Sequence, residues 1–373
     1  MTLPRWFPVA LFALALGLAL LRAPQPAAPA FVVTLPPAAV SALPAAFATD
    51  ALPVAAASAH AATLAELPDG RLAAAWFAGS REGAADVAVW FSLHDGHGWS
   101  APRAIATRTG TATDTLAAVR KIGNPVLYAA GDRLHLWYVS AALGGWAGSS
   151  VNHAASGDGG AMWSAAEKLV TSPFLNVSTL VRTPPLPLVD GGLGLPVYHE
   201  FIAKHGEWLR LDGAGRILAK ERLALPRPGL QPAVAALDDR HALALLRDAG
   251  PGDGHILAAA TDDGGASWQA LPALPVRNPN ASIALLRLAS GKLLLAANPG
   301  DGRNVLQLFL SADEGETWQA GKKIEDQPGS SAEFSYPALL QGRDGRIHLA
   351  YTWQRQGIRH AVFSEAWLTG AGP

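Results

Sequence analysis

Charged and polar residues cluster at the ends of several hydrophobic runs in this sequence, where a fold most easily places chemistry. One cluster is the glycine-flanked segment 79–86, in which Arg81, Glu82 and Asp86 lie between two hydrophobic runs. Carboxylates can transfer protons and arginine binds carboxylates through paired hydrogen bonds, so the segment could contact a charged substrate. A solvated turn would have the same composition. The segment alone leaves both interpretations open.

A second cluster, Tyr198-His199-Glu200, ends another hydrophobic run. If this run is a strand, alternate side chains face opposite ways, and Tyr198 and Glu200 share one face. A metal site would need further ligands that the sequence does not offer nearby. Glu200 is therefore expected to be a hydrogen-bonded rim carboxylate, and neither a metal nor a cofactor is expected.

An eight-residue pattern, Ser/Thr-x-Asp-x-Gly-x-x-Trp, recurs along the chain, and we call each copy a box. Boxes occupy residues 156–163, 261–268 and 311–318, and a degenerate copy occupies 92–99. Asp and Ser side chains cap their own backbone in tight turns, Gly supplies positive φ, and Trp fills a hydrophobic seam. Each box is thus predicted to be a hairpin turn, with Trp163, Trp268 and Trp318 largely buried.

The spacing of the boxes defines a repeat. Successive boxes begin 64, 105 and 50 residues apart, and the long interval is typical of two units whose shared box, at about 212–216, has been lost. A period near 50 with hairpins inside each unit is typical of a β-propeller, whose blades are stable only against neighbouring blades. We predict an all-β, six-bladed β-propeller over residues 46–368, with the boxes on the face away from a central funnel.

Within the repeats, the first strand of each unit begins with polar residues and the second ends with them. Because equivalent strand ends of all blades meet at one central funnel, these side chains are expected to converge. The positions concerned are His60, Gln231, Arg247, Arg303, Tyr336 and Arg355.

The boxes, the period and these rim residues resemble the Asp-box (BNR-repeat) superfamily of six-bladed propellers, whose best-known members are the sialidases, or neuraminidases. The resemblance covers about residues 46–368. It implies a catalytic apparatus of arginines that bind the substrate carboxylate, an Asp acid/base in the first blade, and a Tyr nucleophile partnered by a Glu. Non-enzymatic propellers carry the same boxes.

Residue by residue, the resemblance assigns the nucleophile to Tyr336, which lies in Tyr-Pro-Ala-Leu ahead of an Asp-Gly turn. It assigns carboxylate binding to Arg247 and Arg303, and the acid/base role to Asp86, which we expect to be shielded with a raised pKa. Arg81 resembles a family rim arginine of the same loop. Arg355 and Glu200 complete the expected substrate contacts.

Two positions depart from the family pattern. His60 stands where sialidases have their first arginine, and Gln231 stands where they have the Glu that activates the tyrosine. Glutamine cannot take a proton, and a free tyrosine with a pKa of about 10 is a poor nucleophile at neutral pH. Both positions are nevertheless expected to belong to the catalytic pocket.

Three functions remain open at this point. The first is a sialidase-like exo-glycoside hydrolase that acts on an acidic or modified glycan, which suits two convergent arginines. The second is a polysaccharide lyase of uronate-containing glycans that uses His60 and Tyr336 as acid and base. The third is a non-catalytic, glycan-binding propeller.

Composition and the N-terminus narrow the compartment and the partners. The net charge is −1 without a basic stripe, which argues against a nucleic-acid partner, and the absence of Cys excludes disulfides and a thiol nucleophile. Residues 1–22 are predicted to be a signal peptide or signal anchor, with possible membrane anchoring through 6–21, and 23–45 a Pro/Ala-rich linker. The propeller is therefore expected to be exported, to the periplasm or the outer surface. No oligomeric state is indicated.

Overall fold

The computed structural model describes residues 6–22, 28–33, 43–142, 145–172, 176–252 and 254–370. Within these ranges six antiparallel sheets are arranged as a six-bladed β-propeller. The predicted fold is therefore confirmed. Helix is confined to α1 (Phe7–Arg22), α2 (Arg108–Thr115), α3 (Glu365–Thr369) and a 3-10 turn at Gly145–Gly148 among the residues described.

The strands are numbered in chain order. β1 is Phe47–Ala51. Blade one contains β2 (Ser58–Glu66), β3 (Leu72–Gly79), β4 (Ala88–His94) and β5 (Arg103–Thr107). Blade two contains β6 (Lys121–Ala130), β7 (Arg133–Ala141), β8 (Ser149–Ser156) and β9 (Glu167–Lys168). Blade three contains β10 (Leu180–Val181), β11 (Leu186–Pro187), β12 (Leu193–His199), β13 (His205–Leu211) and β14 (Ile217–Arg222).

Blade four contains β15 (Gly229–Ala236), β16 (Ala242–Asp248), β17 (Leu257–Thr261) and β18 (Gln269–Leu271). Blade five contains β19 (Ala284–Arg287), β20 (Leu293–Ala297), β21 (Val305–Ser311) and β22 (Gln319–Asp326). Blade six contains β23 (Phe334–Gln341), β24 (Ile347–Trp353) and β25 (Gly357–Phe363).

The ring closes because blade six takes its outermost strand from the N-terminal side of the chain. β1 pairs antiparallel with β25, and Phe47 lies opposite Phe363. The Phe47 ring also stacks on Trp367, with centroids 4.4 Å apart. Strand β1 therefore ties the start of the propeller to its end and covers the edge that β25 would otherwise expose.

The direction of the strands defines two faces. The inner strand of a blade, such as β2, starts at what we call the upper face and ends at the lower face, where a hairpin returns the chain as β3. Strand β4 then descends and ends at His94, beside the first box. The boxes therefore lie on the lower face, and the loop at 80–87 and the starts of the inner strands lie on the upper face, as the repeat predicts.

The boxes are self-capped turns. In the box at 311–318, Ser311 Oγ donates to Asp313 at 2.7 Å, and the backbone N–H groups of Gly315 and Thr317 donate to Ser311 Oγ and the Asp313 carboxylate at 2.8 and 2.9 Å. The hydrogen bonds from Thr317, with that from Ser311, lower the pKa of Asp313 to about 2. Gly315 has a φ of 98°, which a residue with a side chain would adopt only with strain.

The box tryptophans differ in how deeply they are buried. Trp268 is 4% exposed and packs against Trp208, with ring centroids 5.6 Å apart. Trp163 and Trp318 are partly buried. Trp318 Nε1 donates to the carbonyl of Gly315 within its own turn at 3.0 Å, which keeps the ring near the surface. All three rings are thus largely buried, as expected, and Trp268 is the most deeply buried of them.

The predicted lost box is a hairpin turn, as expected. Asp212 accepts hydrogen bonds from the backbone N–H groups of Ala214 and Arg216 at 3.0 and 2.8 Å, between β13 and β14. Here one Asp caps the turn without the Ser/Thr and Trp of the other boxes. The degenerate box differs in another way, because Ser92 donates to the carbonyl of Ser100 at 2.7 Å.

The N-terminal segments fall into two described parts. Helix α1 exposes a largely apolar surface, with Trp6 beside it 66% and Phe12 69% exposed. None of the helices in the described part of the chain, α1 included, combines the length and the apolar character that a membrane span requires. Residues 28–33, inside the expected linker, pack on blades three and four: Phe31 N–H donates to the carbonyl of Asp239 at 2.8 Å, and its ring meets Trp208 edge-on.

Two histidine pairs are buried in blades two and six. Nδ1 of His135 lies 2.9 Å from Nε2 of His153, and Nδ1 of His348 lies 3.0 Å from Nε2 of His360. Burial is the main cause that lowers the pKa of His135, His153 and His348 to about 4, and that of His360 to about 3. These four side chains are thus neutral in the folded protein at neutral pH.

We expect the free energy of unfolding to fall as the pH drops from about 6.5 to about 4. The folded pKa values lie below the unfolded value, so the unfolded chain takes up protons first, and each histidine costs up to roughly 1.4 kcal/mol per pH unit. Denaturant titrations across this window measure the slope. His348→Gln should flatten it, whereas His97→Gln, at an exposed position, should not; equal slopes for all three proteins would contradict the assignment.

Candidate active site

The inner strands deliver their side chains to the axis through a repeated bulge. In blades one, two, four and six the pairing of the inner strand skips two residues on the upper side. The first skipped residue has positive φ in every case, with values of 53°, 47°, 54° and 53° for Ala61, Asn124, Gln231 and Tyr336. Bulges re-aim side chains, and this conformation is uncommon for residues other than glycine. The bulge therefore brings Asn124, Gln231 and Tyr336 to equivalent positions.

The residue after the bulge reinforces it in three blades. Pro125, Pro232 and Pro337 follow Asn124, Gln231 and Tyr336. Because proline has no N–H, the second of the two skipped positions leaves no unpaired backbone donor.

Tyr336 lies between two arginines. Arg247 Nη1 approaches the phenol oxygen at 3.5 Å, and the guanidinium carbon of Arg303 lies 5.6 Å from the ring centroid. Burial alone would raise the pKa of Tyr336, but the charges of Arg247 and Arg303 and a hydrogen bond from Gln231 outweigh it and lower the pKa. This environment favours the phenolate, which is the nucleophilic or basic form.

His60 packs directly on Tyr336. It is 2% exposed, and the two ring centroids are 4.2 Å apart. Burial, together with the positive charges of Arg355, Arg303 and other arginines nearby, lowers the pKa of His60 well below its usual value. Its Nδ1 is buried without a hydrogen-bond partner in the part of the chain described. His60 is therefore a neutral imidazole. It cannot supply the positive charge of the carboxylate-binding arginine that sialidases have at this position.

Gln231 joins Tyr336 to a second phenol that the sequence analysis left unassigned. Gln231 is 1% exposed, and its Nε2 donates to the Tyr198 hydroxyl at 3.3 Å. Asn124 Nδ2 donates to the same hydroxyl at 3.0 Å. Burial is the main cause that raises the pKa of Tyr198. Asn124, Gln231 and Tyr198 thus form a neutral, hydrogen-bonded floor beside Tyr336.

A carboxylate that the sequence analysis missed, Glu333, orients two of the predicted arginines. It accepts from Arg303 Nη1 at 3.2 Å, from Arg355 Nε at 2.6 Å and from Ser335 Oγ at 2.7 Å. Burial opposes ionisation, yet these hydrogen bonds and the arginine charges lower the pKa of Glu333. Arg355 also donates to Glu82 of the first-blade loop.

Asp86 lies in the first-blade loop and is capped within that loop. The carboxylate is exposed and accepts from the backbone N–H and the hydroxyl of Ser80, both at 2.9 Å. These two hydrogen bonds lower the pKa of Asp86, so the expectation of a shielded acid with a raised pKa is wrong. The loop caps itself through Ser80, and Glu82 is the loop carboxylate that reaches the arginines.

Two further predicted site residues, Arg81 and Glu200, have no contact with Tyr336 among the interactions described above. Arg81 is exposed, and its side chain makes no hydrogen bond or ion pair within the described ranges; its charge acts on Asp86. Glu200 is partly buried and donates its backbone N–H to Ser178 Oγ at 2.7 Å. Its charge acts on Tyr198 and on Lys121, whose Nζ lies 4.0 Å from the centroid of the Trp146 ring.

Arg182 is the most buried charged group of this region and was also missed. It is 3% exposed and donates to the backbone carbonyls of Ala62 at 3.1 Å, Tyr336 at 2.8 Å and Pro337 at 3.0 Å. Blade three thereby holds the bulges of blades one and six, and Arg182 is a positioning residue for Tyr336. A comparison of inner strands across the blades could have found it, since Arg182 is followed by Thr-Pro-Pro.

The structure therefore joins His60, Gln231, Arg247, Arg303 and Tyr336 in one pocket, with Arg355 attached through Glu333. No group of His, Asp and Glu suited to a metal ion occurs among the described residues. The chain is thus a six-bladed propeller with an arginine-rich funnel around one tyrosine.

Residues 70–349, roughly three quarters of the chain, match the family described as BNR repeat-like domain. The chain belongs to this family. A search of curated proteins found no match to the sequence.

Solved structures confirm the fold at low identity. The Hadza microbial sialidase Hz136 superposes with a TM-score of 0.67 at 16% identity over 84% of this chain, which spans 66% of that sialidase's length. A Dyadobacter fermentans protein of unknown function gives 0.69 at 15%, over 85% of this chain and 97% of that one. The intramolecular trans-sialidase from Ruminococcus gnavus, in complex with oseltamivir carboxylate, gives 0.66 at 13%, over 87% and 98%.

We expect Tyr336 to be the first tyrosine to ionise. The chain has 5 tyrosines, and burial raises the pKa of the other four, Tyr128, Tyr138, Tyr198 and Tyr351. An ultraviolet titration should show one phenolate forming below pH 10, the usual tyrosine value, and Tyr336→Phe should remove it. Arg247→Gln should move that step to higher pH, and Arg216→Gln, at an exposed lower-face turn, should not. A low step that survives in Tyr336→Phe would contradict this.

Proposed function

We propose that this protein is a sialidase-like exo-glycoside hydrolase that acts on an acidic or modified glycan. The observation that carries the proposal is the Tyr336 phenol, held beside Arg247 and Arg303 with a lowered pKa. A nucleophile and a carboxylate-binding pair thus share one pocket on the upper face. The family and the structural neighbours support the fold of such an enzyme, and the chemistry rests on the pocket.

Arg247 and Arg303 have different parts in binding the carboxylate. Arg303 is already oriented by Glu333, so it offers a fixed donor geometry. Arg247 forms no ion pair within the described residues, and its Nε is buried without a partner. An acidic sugar whose carboxylate met Arg247 would supply the missing acceptor, because guanidinium binds carboxylate in a bidentate manner.

Tyr336 is the nucleophile in the proposed reaction. Its phenolate oxygen attacks the anomeric carbon, the bond from that carbon to the glycosidic oxygen breaks, and the leaving oxygen takes a proton from a carboxylic acid. Water then attacks the anomeric carbon, the bond from that carbon to the Tyr336 oxygen breaks to return the phenolate, and the acid residue recovers its proton from this water. Tyrosine is the recognised nucleophile exception among glycoside hydrolases. Without a Glu at position 231, the two arginines stabilise the phenolate instead.

The acid belongs to the loop at 80–87. Asp86 has this role by resemblance, whereas Glu82 is the loop carboxylate that contacts Arg355 and whose charge acts on Tyr336. Asp86→Asn and Glu82→Gln, compared at several pH values, separate the two. The acid/base variant should lose activity most on substrates with poor leaving groups.

A lyase is the second candidate, because His60 is neutral and its unpartnered Nδ1 belongs to a ring that lies tilted against the ring of Tyr336. One of the two groups would remove the proton next to a uronate carboxylate while the other protonates the leaving oxygen. The carbon–oxygen bond breaks and a carbon–carbon double bond forms, with arginine neutralising the carboxylate. This product absorbs ultraviolet light, which a hydrolysis product does not.

The purified protein, incubated with a panel of sialylated and uronate-containing oligosaccharides, should release new reducing ends without unsaturated product. Tyr336→Phe should lower turnover by at least about 10³-fold, since it removes the nucleophile. Tyr128→Phe, at a tyrosine outside the pocket, should retain activity. Gln231→Glu should increase sialidase activity.

Unsaturated uronate that forms at the same rate as reducing ends would establish the lyase instead. Saturable binding of an acidic glycan without turnover, unaffected by Tyr336→Phe but lost in Arg247→Gln, would establish the binding propeller. Full activity of Tyr336→Phe would overturn the proposed nucleophile.

We also propose that residues 1–22 direct export of the propeller. The apolar side chains of α1 are exposed, which suits a segment that meets lipid or a translocation channel. A reporter that is active only after export, fused after residue 40 in a bacterial host, should be active. Replacing Leu14 and Leu16 with Asp should abolish that activity. Activity of a reporter that works only in the cytosol would contradict export.

A further inference from the structure

The central channel has a second opening on the lower face, away from the proposed site. It forms a cavity of about 750 Å³, lined by the lower ends of the inner strands and by residues 182–187. Its walls are mainly aliphatic. Cavities of roughly 300–1,000 Å³ with apolar walls are the size class that binds small ligands.

The charged groups of this lower cavity are predominantly positive. Arg182, Arg287, Arg343 and Glu66 are the charged lining residues. Glu66 pairs with Arg343, whose Nε lies 3.4 Å from its carboxylate. Within the described ranges, Arg182 and Arg287 have no carboxylate partner. The cavity thus carries two uncompensated positive charges.

Both unpaired arginines also have unused donors. Arg182 Nε and Arg287 Nη1 are buried and have no hydrogen-bond acceptor in the described part of the protein. Arg182 is 3% exposed, and desolvation is the main cause that lowers its pKa to about 10. The terminal nitrogens of Arg182 already donate to the carbonyls of Ala62, Tyr336 and Pro337, so Arg287 is the lining guanidinium left to bind an anion. A buried charged donor without an acceptor is unfavourable, and an anion on Arg287 would relieve that cost.

Apart from Tyr128, whose hydroxyl has no hydrogen bond within the described ranges, the other uncharged polar side chains of the cavity are occupied. Thr63 Oγ1 accepts from the backbone of Leu127, Thr183 Oγ1 donates to the carbonyl of Pro232, and Gln341 bonds to backbone groups of Ala289 and Gly345. A polyhydroxylated ligand would find few free partners. A ligand with one anionic group and an apolar body would match both the positive charge and the aliphatic walls of the cavity.

We propose that the lower cavity binds an acyl carboxylate, with the carboxylate on Arg287 and the alkyl chain against the ends of the inner strands. Each buried methylene would contribute about 0.8 kcal/mol to such binding. Tyr336, Arg247 and Arg303 do not line this cavity, and the proposed contact with Arg287 does not involve them.

Calorimetric titration of the full chain with decanoate tests the proposal. We expect saturable 1:1 binding, with decanol at least about tenfold weaker and acetate not binding, since the site needs both the charge and the chain. Arg287→Gln should weaken decanoate by about tenfold or more and leave decanol unchanged. Arg343→Gln, whose guanidinium is already paired, and Tyr336→Phe, on the other face, are the matched controls and should bind as the parent does.

Circular dichroism and the melting temperature check that Arg287→Gln folds as the parent does. Absence of saturable decanoate binding would overturn the proposal. Equal affinity for decanol and decanoate, or Arg287→Gln binding decanoate as well as the parent, would show that no anion site exists in the cavity.

Discussion

The candidate site depends on one backbone constraint, the positive-φ bulge at the upper end of the inner strands. A flat strand would alternate its side chains between the two faces of a blade, and none would converge on the axis. The bulge turns Asn124, Gln231 and Tyr336 inward. Holding a residue with a side chain in this conformation costs on the order of 1 to 3 kcal/mol, so neighbouring blades must enforce it.

That enforcement comes from hydrogen bonds between blades. Thr352 Oγ1 accepts from the backbone N–H of Ala61 at 3.0 Å, which ties blade six to the bulge of blade one. Arg182 reaches across the axis from blade three to the carbonyl groups of Tyr336 and Pro337. A buried guanidinium is a costly support because its charge is desolvated. It also adds positive potential to the pocket, which helps to keep His60 neutral.

The sequence predicts the fold well because the residues that form each box turn are neighbours in the chain. Three of the boxes contain the Ser/Thr, Asp and Gly that make the turn, so the number of blades follows from their spacing. Tyr336, Arg247 and Arg303 were also predictable, because equivalent blade positions must meet. Asp86 was not, since its exposure depends on Ser80 capping the loop. Glu333 and Arg182 act on partners that only closure of the ring brings near: Arg182 and Tyr336 are 154 residues apart.

The Gln at position 231 and the arginines around Tyr336 form one consistent electrostatic arrangement. A carboxylate at this position, which is 1% exposed, could take the proton of the tyrosine directly, which the amide cannot do. The neutral amide still donates a hydrogen bond to the phenol while leaving the arginine charge uncompensated. In the proposed reaction, positive charge therefore takes over the activation that a neighbouring base would otherwise provide. The acidic sugar of that proposal would neutralise the same charge on binding, so the proposed nucleophile and the proposed choice of an anionic substrate would depend on the same two arginines.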